Sequence, residues 1–119
     1  MKKLKIGIIG TGGIGTVHMD SYKKCDKAVC DINEERVKAF AEKYGVKKYY
    51  KSYQEMLDKE ELDGVSVCTW NDTHAEISIA ALKSGKNVLC EKPMAMNAQQ
   101  GEQMLKTAKE TGKLLMIGF

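Results

Sequence analysis

No apolar run in this chain approaches the ~20 residues that a helix needs to cross a bilayer, and the amino terminus has neither the long apolar core nor the cleavage site of a signal peptide. The expected location is the cytoplasm. A surplus of one charge sign is also missing. Nineteen Lys and Arg stand against 16 Asp and Glu, a net +3, interleaved rather than blocked, which describes a solvated surface and gives no footing to nucleic acid. The four cysteines, Cys25, Cys30, Cys68 and Cys90, have neither C-x-x-C pairing nor metal-ligand spacing. No metal is expected, and in a reducing compartment these thiols read as small buried hydrophobes. Low-complexity stretches and internal repeats are absent. With 119 residues the chain makes one domain, residues 1–119, that buries roughly two-thirds of its unfolded surface.

Glycine, by contrast, occurs in an informative order. Residues 4–15, LKIGIIGTGGIG, carry an apolar strand pattern directly into Gly-x-Gly-x-x-Gly at Gly10, Gly12 and Gly15. Gly10 permits a tight turn off the strand, Gly12 lets backbone approach a diphosphate with no Cβ in the way, and Gly15 lets the next helix pack close to the strand. Amides at the start of that helix carry the positive end of its dipole and suit two phosphate charges. Glycine-rich turns also serve as plain strand-to-helix connections, so the downstream sequence has to decide. A dinucleotide site needs an acid at the tip of the second strand to accept hydrogen bonds from the adenosine ribose. Asp31 ends the run KAVC and lies 16 residues beyond Gly15. A helix over residues 14–24, about 16 Å long, leaves only Cys25 and Asp26 for the turn back, the tightest joint in the chain.

Strand and helix patterns then alternate. Asn33 reads as an N-cap for a helix with Val37, Phe40, Ala41 and Tyr44 at helical spacing, stopped by Gly45. Ser52 with Glu55 and Thr73 with Glu76 read as capping boxes. Residues 64–69, GVSVCT, form a buried strand and residues 87–90 another. A last helix begins at Asn97, presents Gly101, Met104, Leu105 and Ala108 on one face and ends at Gly112, before a strand over residues 113–119. With a short strand near residues 47–50, six strands and five helices imply an α/β fold, a doubly wound parallel (Rossmann) sheet in the order 3-2-1-4-5-6. Ligands in such sheets bind beyond the carboxyl ends of the strands, at the switch between the first and fourth.

Two segments at those ends, CTWNDTH at residues 68–74 and CEKP at residues 90–93, make a family recognisable. The chain closely resembles the cofactor-binding half of the Gfo/Idh/MocA oxidoreductases, the family of glucose-fructose oxidoreductase and inositol dehydrogenase, over essentially its whole length. The resemblance implies that Lys92 lies beside the nicotinamide ring and the substrate hydroxyl as the catalytic residue. Glu91 then contributes to the cofactor pocket, and Pro93 fixes the turn. Thr69, Trp70, Asn71 and His74 correspond to the family's Thr-Pro-Asn-x-x-His, with Trp70 where proline is usual. Thr11, Gly13 and Ile14 of the glycine turn and Ile32 beside Asp31 complete the implied cofactor-binding set. His74 also reads as a first-turn helix residue, and His18 as solvent-facing or packed rather than catalytic.

Charge at the second strand tip selects the cofactor. Asp31 repels the extra phosphate of NADP, Ile32 offers it no hydrogen bond, and Arg36 is the one nearby guanidinium, so NAD is expected over NADP. Full-length members of the family resemble this chain followed by a second α/β domain that holds a sugar or polyol. The expectation is a cofactor module that lacks this substrate domain and has little turnover of its own. A methyltransferase shares the glycine turn and acidic tip, but the third glycine and Glu-Lys-Pro argue against it. A non-enzymatic nucleotide-binding or self-associating module remains the other reading, with a homodimer expected through the apolar C-terminal edge strand.

Overall fold

The computed structural model describes residues 4–22, 25–69, 71–92 and 95–118. Trp70 and Pro93 of the two motifs lie outside them. Among the described residues six strands, β1 (Lys5–Ile9), β2 (Asp26–Cys30), β3 (Lys48–Tyr50), β4 (Gly64–Val67), β5 (Asn87–Cys90) and β6 (Leu115–Ile117), alternate with five α-helices. These are α1 (Gly13–Ser21), α2 (Glu34–Tyr44), α3 (Tyr53–Lys59), α4 (His74–Lys83) and α5 (Ala98–Thr111). All strand pairs are parallel and the order is β3-β2-β1-β4-β5-β6, as the alternating pattern implied.

Both sheet faces are covered, because successive strand residues point to opposite sides. Ile8 and Val29 face α1 and α2 and pack with Met19, Val37, Phe40 and Ala41. Ile9, Ala28, Cys30, Val65, Val67 and Val88 face the other way, onto Met56, Leu82 and Met104 of the remaining helices. Complete burial of a side chain such as Ile8 or Leu82 contributes about 2–3 kcal/mol. Asn33, Ser52 and Asn97 cap α2, α3 and α5 by accepting from backbone N–H groups, and Gly45 and Gly112 close α2 and α5. Among the described residues no helix is long and apolar enough to cross a membrane.

Several local expectations are corrected. α1 stops at Ser21 rather than at residue 24, with Tyr22 as its C-cap. The Tyr22 and Ser66 hydroxyls share a 2.7 Å hydrogen bond, which anchors the helix end to β4. The Thr73–Glu76 capping box does not form. Thr73 donates its hydroxyl to Thr69 Oγ1 at 2.6 Å, and Glu76 accepts instead from Tyr53 Oη. At Ser52 half of the expected box is present, for Ser52 Oγ accepts from the Glu55 N–H while the Glu55 carboxylate pairs with Lys59. Leu105 is exposed; Met104 and Thr107 are the buried residues of α5, and Ala108 packs half-buried against the core. The strands over residues 64–69 and 113–119 are shorter than the apolar runs that encode them.

Candidate functional site

The carboxyl ends of β1, β2, β4 and β5 bring four separated segments to one crevice. The chain leaves β1 through Gly10, whose φ of +100° favours glycine and whose missing Cβ would stand 2.6 Å from the Cys68 carbonyl oxygen. A Cβ on Gly15 would stand 2.3 Å from the Gly10 carbonyl oxygen, so α1 begins against the turn. Gly12 differs. A Cβ there would meet nothing within 4 Å, and the backbone at this N-cap borders open space. Gly13 and Ile14 form the first turn of α1, which has no acidic side chain. This turn leaves room for a diphosphate against the positive end of the helix.

Asp31, directly after β2, is 5% exposed. Its carboxylate accepts from the Thr11 N–H at 2.9 Å and from the Thr11 hydroxyl at 2.8 Å, which ties the second strand tip to the glycine turn. It also accepts from the Asn33 N–H at 2.9 Å and from Arg36 Nε and Nη2, both at 3.0 Å. Burial alone would push this carboxyl up. The hydrogen bonds from Arg36, Asn33 and Thr11 outweigh it and hold the group below the ordinary 3.8. Ile32 beside it is exposed.

Beyond β4, Thr69 and the short turn Asn71–Thr73 lead into α4. His74 is buried, and its Nε2 lies 3.0 Å from the Thr69 carbonyl oxygen, so the ring braces this turn from beneath. Beyond β5, Glu91 points back to α1, where its Oε2 lies 3.4 Å from Nε2 of the fully buried His18. Burial lowers the His18 pKa below 6.5, and the Glu91 carboxylate opposes that shift. Lys92 is exposed, and its aliphatic stem runs over Gly118, where a Cβ would come within 3.1 Å of Lys92 Cγ. Sequence reasoning missed the roles of Gly118 and of the His18–Glu91 contact. The spacing of Gly15 and His18, three residues apart, puts them on one face of the helix but does not give the partner of His18.

Cys30 and Cys90 end β2 and β5 and are buried, while Cys25 and Cys68 are half-buried beside the strands. Burial pushes the Cys30 thiol up to about 12 and raises those of Cys68 and Cys90, which keeps them un-ionised. A concavity of about 420 Å³ lies at the opposite ends of the strands and is lined by Lys5, Cys25, Lys27, Lys47, Lys48 and Glu60. None of the fingerprint residues stands there. The topological switch between β1 and β4 is the better guide to the site, because it gathers the glycine turn, the strand-tip acid and both later motifs.

The Gfo/Idh/MocA oxidoreductase family, NAD-binding Rossmann fold, matches residues 4–119. A myo-inositol 2-dehydrogenase of Thermotoga maritima is 38% identical over 120 residues, covering 98% of this chain and 36% of its own length. A D-glucoside 3-dehydrogenase of Escherichia coli is 39% identical over 123 residues, 98% of this chain and 34% of its own. The crystal structure of the WlbA dehydrogenase from Bordetella pertussis, in complex with NADH and UDP-GlcNAcA, superposes with a TM-score of 0.91 at 26% identity, covering 98% of this chain and 37% of that one. The chain thus spans about a third of the length of the relatives it matches.

Proposed function

The chain belongs to the Gfo/Idh/MocA oxidoreductases as their NAD-binding Rossmann domain, and on that premise we propose that the crevice at the β1–β4 switch binds NAD in preference to NADP and serves hydride transfer to or from a sugar or polyol in a longer protein. The observation that carries this reading is the pair of bonds from Thr11 to Asp31, which joins the ribose-recognising acid to the phosphate-binding turn. Backbone amides from Gly12 to Gly15 hold the diphosphate. Asp31 accepts from the adenosine ribose, with Ile32 against the adenine side. Thr69 and Glu91 stand at the nicotinamide end, the family motif assigns Trp70 and Asn71 to the same cofactor-binding set, and His74 sets the Thr69 backbone. NAD, when bound, supplies the hydride acceptor.

Lys92 is the catalytic residue of this proposal. Its aliphatic stem packs against Gly118, and its amine would hold and move the proton of a substrate hydroxyl, a task that needs a positioned base. The relatives act on inositol and a glucoside by their names, which supports a polyhydroxylated ring as the substrate class. Calorimetric titration of the chain with NADH and NADPH tests the cofactor half: saturable binding with NADH the tighter is expected. Equal or tighter binding of NADPH removes the NAD preference, and no binding of either removes the site.

The outer edge of β6 exposes Leu114, Met116 and Ile117. An open apolar edge of this kind supports self-association of the chain through that side. Light scattering is expected to show a concentration-dependent dimer, and a monomer at every concentration would contradict it.

A further inference from the structure

Asp31 has more donors than room for them. A carboxylate offers about four acceptor positions, and five N–H or O–H groups already address it. Oδ1 accepts from the Asn33 N–H and Arg36 Nη2, while Oδ2 accepts from the Thr11 N–H, the Thr11 hydroxyl and Arg36 Nε. Two of these donors are backbone N–H groups, and the Thr11 side chain is buried. Arg36 is the movable one: its side chain is 45% exposed and reaches Asp31 from the first turn of α2 in a bidentate grip.

A ribose diol needs acceptor positions on this same carboxylate, and the guanidinium holds one on each oxygen. Admission of the two hydroxyls therefore requires Arg36 to let go of at least one of them. A ribose 2′-phosphate poses the opposite demand, because it is repelled by the carboxylate and attracted to a guanidinium beside it. One side chain thus acts with opposite sign on the two dinucleotides. We propose that Arg36 is the cofactor-selectivity residue of this site, a latch that competes with the ribose hydroxyls for Asp31 and at the same time offers a cation to a 2′-phosphate. The latch rests on the dinucleotide reading given above. It goes further in making the NAD preference weaker than Asp31 alone would set.

The test is a calorimetric comparison of the unmodified chain with Arg36→Ala and Arg36→Gln, each titrated with NADH and with NADPH. Freeing Asp31 is expected to tighten NADH several-fold and to weaken NADPH about tenfold, the scale of one charge-assisted hydrogen bond. The ratio of the two affinities should move by more than about tenfold, with Gln between Arg and Ala. A merely structural role for Arg36 would move both affinities together, so an unchanged ratio with both dinucleotides still bound overturns the latch alone. Weaker NADH binding in Arg36→Ala also overturns it, since Arg36 would then support Asp31 rather than compete for it. Failure of the unmodified chain to bind NADH overturns the latch and the dinucleotide reading together.

Discussion

Gly15→Ala should lower the melting temperature by roughly 5–15 °C and weaken NADH binding by about 10–100-fold. The added methyl would stand 2.3 Å from the Gly10 carbonyl oxygen, and the obstacle is backbone, which cannot step aside as a flexible side chain does. Either α1 slides outward or the turn after β1 opens. Overpacking of this kind costs about 1–3 kcal/mol, and it also moves the amides meant for the diphosphate. Gly12→Ala separates the two effects. Its Cβ meets nothing within 4 Å and the residue has φ −79°, so melting should be unchanged or slightly raised, while NADH binding falls because the methyl stands where the diphosphate approaches. Thermal melts and NADH titrations of both variants check this. If Gly12→Ala bound NADH as well as the unmodified chain, the open space beside it would have another use.

Replacement of Asp31 by Asn should cost about 2–3 kcal/mol at neutral pH and abolish measurable NADH binding. An amide cannot serve the site, because each carboxylate oxygen faces two or more donors and an Asn NH₂ at either position meets N–H groups. The stability loss stays at the lower end because Arg36 is half exposed and water takes over its bonds. The pH dependence follows from the lowered pKa. The folded carboxyl titrates below the unfolded value of 3.8, so the unfolded chain takes up the proton first as pH falls. The contribution of Asp31 is therefore complete above the unfolded value and disappears as pH drops through the folded one. Urea unfolding of both proteins at pH 7, 5 and 3 should show a gap that is constant between the first two and narrows at the third. A gap independent of pH across this range would mean that Asp31 stabilises by shape rather than by charge.

Local, short-range signals made much of this structure legible. The glycine turn, the alternation of strands and helices, and the caps at Asn33 and Asn97 depend on residues a few positions apart, and the parallel strand order follows from crossover geometry. Asp31 was legible as a strand-tip acid at a set distance from the glycines. Its bonds to Thr11 and the bidentate hold of Arg36 were not, because they depend on how β2 docks beside β1 and how α2 leaves it. The second capping box failed for the same reason. Tyr53, 23 residues away, reaches Glu76, and Thr69 takes the Thr73 hydroxyl. His18 could be assigned a helix face but not a partner, since Glu91 arrives from β5 at the far side of the fourth strand.

Amide chemical shifts of the ¹⁵N-labelled chain, followed during titration with NAD, test the central claim most directly. Saturable changes are expected at Gly10, Thr11, Gly12, Gly15 and Asp31, with a second group at Thr69, Glu91 and Lys92, all sharing one affinity. Changes confined to the basic concavity around Lys27, Lys47 and Lys48 at the opposite ends of the strands, or none at all, would contradict the assignment of the dinucleotide to the β1–β4 crevice.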